Sequence, residues 1–85
     1  MSYQDDWRLR GQEEYLMGVT LVHQPWEPSD PKNDHDHCEF CWVKFSRYEA
    51  DLHAGYSTED CYRWVCAQCF HDFQRRFSWR VEENA

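Results

Sequence analysis

The chain has 85 residues and a formal net charge of −7, and aromatic side chains make up 18% of it. A chain of this length has room for one domain, which buries only about 60–65% of its unfolded surface and therefore needs a metal or disulfides to support its core. The excess of acidic groups makes nucleic acid an unlikely partner, because phosphate backbones are usually bound by basic surfaces.

Residues 5–24 predict a helix followed by a strand. Good helix formers precede Gly18, which ends the predicted helix, although Gly11 interrupts it. The β-branched run Val19–His23 then favours a strand. Three prolines among Ser, Asp and Asn predict an extended loop over residues 25–34.

The remaining unit, residues 35–81, is organised around two Cys-x-x-Cys pairs. Phe70, Phe73 and Phe77 recur at the spacing of one helical face, which predicts a helix over Ala67–Phe77. The other expected elements are, in order, a short strand at 42–45, a polar connection at 47–60 with a turn at 54–58, a strand at 62–65 and a closing strand at 79–82. Residues 1–85 are therefore expected to form a single α+β domain.

The start of the chain has neither a basic region nor an apolar stretch of the kind found in secretory signals. The apolar runs are also far shorter than the roughly 20 residues that cross a bilayer, so no membrane partner is expected. We therefore expect a cytoplasmic location, where paired cysteines more often bind metals than form disulfides. The odd number of cysteines, five, also argues against a closed disulfide framework.

The cysteine spacing predicts one structural zinc ion. Cys38 and Cys41 form the first pair, Cys66 and Cys69 form the second, and 24 residues separate Cys41 from Cys66. A two-residue spacer allows both sulfurs of a pair to point at one centre, and four thiolates complete a tetrahedral zinc shell. Four thiolates and one Zn²⁺ would change the formal charge from −7 to −7 − 4 + 2 = −9.

Other uses of the same residues remain open from the sequence. Rubredoxin-like iron sites have a similar pattern, but Trp42 and Phe70 stand where those sites usually have glycine. A thioredoxin-like redox pair needs a βαβ context, which the sequence does not predict. His35 or His37 can replace a cysteine as ligand or donate a hydrogen bond to a thiolate. Cys61 has no partner at ligand spacing and is expected to be a partly buried free thiol.

The order of a first cysteine knuckle, a hairpin-like stretch and a second pair leading into a helix resembles a treble-clef or zinc-ribbon-like zinc finger. The resemblance covers Cys38 to Phe77, and the chain departs from the common pattern at Trp42, where glycine is usual. It implies a zinc-stabilised fold with a protein or nucleic-acid partner. The run His35–Trp42 also resembles that of a group of short uncharacterised bacterial proteins.

The expected function is that of a small protein–protein interaction or regulatory module. A closed shell of four thiolates leaves no position for a substrate, so the chain is not expected to be an enzyme. A metal-dependent enzyme or a redox protein is the least favoured alternative. The acidic surface and three aromatic residues in loop-like stretches are the expected contact points: Trp26, Tyr48 and Tyr56. The alternative, a nucleic-acid-binding finger, would need five arginines on one face: Arg47, Arg63, Arg75, Arg76 and Arg80.

Overall fold

Two helices and six short strands make up the part of the chain that the computed structural model describes, residues 7–83. They form a small mixed α/β domain. In chain order the elements are α1 (Glu13–Leu16), β1 (Thr20–Pro25), β2 (Asp36–His37), β3 (Lys44–Phe45), β4 (Ala54–Ser57), β5 (Trp64–Val65), α2 (Ala67–Phe77) and β6 (Arg80–Glu83).

A four-stranded sheet in the order β5-β4-β1-β6 joins the two ends of the described chain. β1 lies inside it, antiparallel to β4 with Val22 opposite Ser57, and parallel to β6 with Leu21 opposite Val81. The predicted strand near the N-terminus is therefore present. It is an inner strand of the same sheet as the C-terminal elements and not a separate layer packed against them.

The first cysteine pair lies in the loop of a small hairpin. β2 and β3 pair antiparallel, with His37 opposite Lys44, and the knuckle residues 38–43 connect them. The hairpin is tied to the main sheet by a parallel bridge between Cys38 and Trp64 and by the Glu39 amide, which donates to the Trp64 carbonyl at 2.9 Å. This tie places the first pair beside the second.

Helix α2 has the bounds that the phenylalanine spacing predicts. Phe70, Phe73 and Phe77 are all buried, and the helix ends at Ser78 in the left-handed conformation. Arg75 and Arg76 lie in its last turn, where positive charge complements the helix dipole. Within residues 7–83, no helix is long and apolar enough to span a membrane.

The predicted N-terminal helix is wrong in extent. Only Glu13–Leu16 is helical, and residues 5 and 6 lie outside the described part of the chain. Gly11 has a φ of +90°, which is incompatible with a right-handed helix, and the Gln12 side chain accepts from the Arg10 amide at 2.6 Å. The glycine and this local hydrogen bond together prevent a longer helix.

The predicted turn at 54–58 is also wrong, because Ala54–Ser57 is strand β4, between β1 and β5. Its glycine is needed for close packing and not for a turn. A Cβ on Gly55 would lie 3.0 Å from the Phe45 ring and 3.0 Å from the Val65 carbonyl oxygen. Such separations are too short for normal packing, so only glycine lets the Phe45 ring lie against this strand.

Two of the three aromatic residues expected to be available for a partner belong to the packed interior. Trp26 is 4% exposed and donates its indole N–H to Asp36 at 2.9 Å. Tyr56 is half-buried and stacks on Phe70, with ring centroids 3.8 Å apart. Tyr48 alone of the three is largely exposed, at 64%. Most of the exposed aromatic residues are therefore others, and they include Trp42.

Candidate metal centre

The four predicted cysteines come together at one point. The sulfurs of Cys38, Cys41, Cys66 and Cys69 all lie within 4.8 Å of one another, and those of Cys41 and Cys66 are 3.6 Å apart. A tetrahedral centre with a Zn–S distance near 2.3 Å has sulfurs about 3.8 Å apart. Three of the four cysteines are buried. The cluster therefore has the donor set and the dimensions to hold one metal ion.

The first pair is shaped by backbone groups of the knuckle. The Cys38 amide donates to the Val43 carbonyl at 2.8 Å and the Trp42 amide donates to the Cys38 carbonyl at 3.2 Å, which closes a tight turn. Inside this turn the Phe40 amide points at the Cys38 sulfur, 3.4 Å away. Amide donors stabilise a thiolate, so the turn both positions the sulfur and favours its charged form.

The second pair begins helix α2. Cys66 is the N-cap, and its sulfur accepts from the Cys69 amide at 3.4 Å. The amide of Cys66 in turn donates to the sulfur of Cys38 at 3.4 Å. Thiolates are stabilised at a helix N-terminus because the first turn presents unpaired N–H groups and the positive end of the dipole.

Phe40 holds the knuckle against the helix. It is fully buried between the two cysteines of the first pair, and its ring lies 4.9 Å from that of Phe73 and 5.4 Å from that of Phe77. The knuckle and α2 thus share one aromatic core. Their cysteines are aligned by this packing as well as by any bound ion.

Arg8 supplies a positive charge next to the sulfurs. Its guanidinium donates to the Cys69 sulfur at 3.5 Å and to the Asp72 carboxylate at 2.8 Å, and it lies 4.5 Å from the centroid of the Phe73 ring. A metal centre with four thiolates carries a net charge of about −2. Arg8 offsets part of that charge, a role that sequence spacing does not reveal because Arg8 and Cys69 lie 61 residues apart.

Gln12 fastens the N-terminal segment to the knuckle. Its side chain is almost completely buried and donates to the carbonyls of Arg8 at 2.7 Å and Glu39 at 3.0 Å. The Arg10 guanidinium donates to the carbonyls of Glu39 at 2.9 Å and Phe40 at 3.2 Å. Two side chains from the N-terminal segment therefore hold the turn that carries the first cysteine pair.

Trp42 adopts the backbone conformation for which glycine is usual. Its φ is +71°, so the knuckle keeps its turn although a large side chain replaces glycine. A non-glycine residue in this region costs about 1–3 kcal/mol and is found mainly at functional sites. The side chain is 58% exposed, so burial of the indole does not offset this cost.

The cysteines influence one another's ionisation in the metal-free chain. Hydrogen bonds from the thiols of Cys66 and Cys69 lower the pKa of Cys38. The same bonds raise the pKa of Cys66 and Cys69, because their protons are shared with the Cys38 thiolate and a second thiolate would be repelled by the first. In the absence of a metal, Cys66 and Cys69 therefore keep their protons at neutral pH.

Metal binding is accordingly expected to strengthen as the pH rises. At least the two protons of Cys66 and Cys69 must leave, so the apparent association constant should rise by no less than about 100-fold per pH unit between pH 6 and 8. Competition titrations against a chelator of known pH dependence would measure this slope. An affinity that does not change over this range would contradict the assignment of thiolates as ligands.

The other candidate ligands lie outside the cluster. Among residues 7–83 the group that can hold a metal consists of cysteines alone, without His35 or His37. His35 pairs instead with Asp34, with its Nδ1 atom 2.6 Å from the carboxylate oxygen. Cys61 is a half-buried free thiol, as predicted, and its sulfur lies 3.6 Å from the Gln24 amide nitrogen.

The second pair does lie in a βαβ arrangement, contrary to expectation. β5 and β6 are parallel, since β4 runs opposite to β5 and β1 while β6 runs with β1, and α2 connects them with Cys66 and Cys69 in its first turn. An isolated redox pair could occupy such a position. Here Cys38 and Cys41 complete a four-sulfur cluster around it, which is the geometry of a metal centre.

Comparison with known proteins adds no family assignment. No protein-family model matches the chain, and neither a curated protein nor a solved structure matches it. The candidate function is therefore drawn from the geometry of the site.

Proposed function

We propose that this protein is a zinc-stabilised binding module, in which Cys38, Cys41, Cys66 and Cys69 hold one structural Zn²⁺ ion. The observation that carries the proposal is the mutual approach of the four sulfurs to within 4.8 Å. A knuckle followed by a helix that bears the second pair supports a treble-clef-like unit built around this ion. The fold alone implies no particular activity.

Zinc fits the donor set better than iron in a reducing compartment. Tetrahedral sites of four thiolates are typical of zinc and of iron–sulfur proteins. In rubredoxin-like sites, glycine after each pair allows further amides to approach the sulfurs, but here Trp42 and Phe70 follow the pairs. A structural zinc ion also provides the folding free energy that a domain with several two-residue strands lacks.

A structural role is favoured over a catalytic one. Four thiolates occupy every position of a tetrahedral ion and reduce its strength as a Lewis acid, so water and substrate cannot bind to it. Three of the four cysteines are buried, which further restricts access. The activity that remains for such a module is to present its surface to a partner, and we propose a partner protein.

Ion pairs within the domain count against the nucleic-acid alternative, which would need five arginines on one face. Three of the five are paired with carboxylates: Arg47 with Glu27 at 3.0 Å, Arg63 with Glu39 at 3.3 Å and Arg76 with Glu13 at 3.1 Å. Their charge is therefore partly neutralised within the domain. With a formal charge of −7 for the chain, a protein partner is the better proposal.

The first test is the metal content of protein purified without added metal. Elemental analysis and native mass spectrometry are expected to give one zinc ion per chain. A preparation free of metal, or one that contains iron and has the absorption of an iron–thiolate centre, would overturn the zinc proposal.

A further inference from the structure

A surface cavity of about 380 Å³ opens beside the first cysteine pair. It lies within the usual size range of small-molecule sites. Three aromatic side chains line it and remain accessible: Trp42 is 58%, Tyr62 is 61% and Tyr15 is 41% exposed. Large aromatic residues exposed together at the mouth of a cavity are typical of a binding site rather than of ordinary surface.

Two guanidinium groups face the same cavity, those of Arg10 and Arg63. The Arg10 guanidinium hydrogen-bonds to two backbone carbonyls and has no carboxylate partner among residues 7–83. Arg63 is paired with Glu39, which also accepts from the Tyr15 hydroxyl at 3.2 Å. The second carboxylate of the lining, Asp36, accepts from the side chains of Trp26 and Asn33. The lining therefore carries two guanidiniums and two carboxylates, whose formal charges sum to zero, and the Arg10 guanidinium is the cation that no carboxylate among residues 7–83 pairs with.

A cationic ligand does not fit this arrangement. Exposed aromatic rings can form cages for ammonium groups, but here the chain's own arginines lie against the rings. The Arg63 guanidinium is 3.9 Å from the Tyr15 centroid and that of Arg10 is 4.9 Å from the Trp42 ring centroid. These guanidiniums would also repel a cationic ligand. Each of them has five N–H donors, which is more than its hydrogen bonds to carbonyls and carboxylates use, so donors remain for an anionic ligand.

We infer that the cavity binds a small aromatic anion, that is, an aromatic or heteroaromatic ring that carries a phosphate or a carboxylate. Arg10, together with Arg63, would hold the anionic group by bidentate hydrogen bonds. The exposed rings of Trp42 and Tyr62 would stack on the planar part. The positive φ of Trp42 agrees with this role, because the strain of placing a large side chain there is explained if that side chain contacts a ligand.

This inference goes beyond the proposed function, since it assigns a ligand to the cavity beside the knuckle. Cys38 also lines this cavity, but the inference does not depend on which metal the cysteines hold. Two probes distinguish a phosphate ligand from a carboxylate ligand. Adenosine 5′-monophosphate carries a phosphate on a planar base, and indole-3-acetate carries a carboxylate on an indole. Adenosine and indole-3-acetamide are their uncharged counterparts.

The experiment is calorimetric titration of the metal-loaded protein with each of these four compounds. At least one anionic probe is expected to bind with a Kd below about 1 mM, and its uncharged counterpart at least ten-fold more weakly. Binding of the nucleotide alone would assign the phosphate class, and binding of indole-3-acetate alone the carboxylate class. Absence of binding by both anions would overturn the inference.

Two variants test the residues. Trp42→Gly relieves the backbone strain and should keep the metal and the melting temperature while it weakens binding at least ten-fold. Arg10→Gln should weaken binding of the anion to a similar degree. Arg80→Gln on β6 is the matched control, because it removes an exposed arginine that does not line the cavity, and it should leave affinity unchanged. Wild-type affinity in both Trp42→Gly and Arg10→Gln would place the ligand elsewhere and overturn the inference.

Discussion

Removal of the metal by a strong chelator is expected to abolish the near-ultraviolet circular dichroism of the protein and to unfold residues 38–77. Structural zinc contributes about 10–16 kcal/mol to the folding of zinc-finger peptides, which equals or exceeds the total stability of a small domain. The first pair lies in the loop of a hairpin with only two residues in each strand. Without the ion, the four sulfurs, which lie within 4.8 Å of one another, would lose the centre that joins the two cysteine pairs.

The double variant Cys66→Ser, Cys69→Ser should reproduce this loss without a chelator, because it removes both ligands of the second pair. Cys61→Ser is the matched control, since Cys61 lies outside the cluster. Elemental analysis and near-ultraviolet circular dichroism spectra of the wild type, the double variant and Cys61→Ser provide the comparison. A spectrum that is unchanged in excess chelator, with the metal demonstrably removed, would show that the ion does not support the fold.

Trp64→Ala is expected to destabilise the domain by about 3–5 kcal/mol, the range found when a buried aromatic residue is truncated to alanine. Trp64 is completely buried, lies 5.5 Å from the Phe45 ring and donates its indole N–H to the Cys61 carbonyl at 2.9 Å. It also bridges the sheet to the knuckle through Cys38. The substitution therefore leaves a cavity beside this backbone bridge and an unpaired Cys61 carbonyl.

Urea denaturation of the metal-loaded protein, followed by far-ultraviolet circular dichroism, measures this change. Tyr48→Ala is the control, because this ring is 64% exposed and its loss should change the free energy of unfolding by no more than about 0.5 kcal/mol. A loss below about 1 kcal/mol for Trp64→Ala would mean that the centre does not depend on this residue for its alignment.

The parts of the fold that sequence predicts well are those governed by local spacing. The three phenylalanines of α2 lie on one face, so the periodicity predicts both the helix and its buried side. The two Cys-x-x-Cys pairs likewise identify the four clustered sulfurs, because a two-residue spacer restricts how a pair can point.

The parts of the fold that the sequence does not predict depend on contacts between residues that are distant along the chain. Gly55 looks like a turn residue, yet it lies in β4 because the Phe45 ring packs where a Cβ would be. Trp26 follows a proline in a polar stretch, yet it is buried because Asp36 accepts its indole N–H. Arg8 and Gln12 carry no motif, and their roles depend on sulfur and carbonyl groups tens of residues away.

The inner position of β1 has a consequence for the order in which the nascent protein gains its structure. Leu21 pairs with Val81, sixty positions further along the chain, whereas Cys38 and Cys69 are separated by about half that distance. During synthesis the four cysteines become available before β6 has left the ribosome. Capture of the ion should therefore precede completion of the sheet, and the supply of metal would determine how long β1 waits with one edge unpaired.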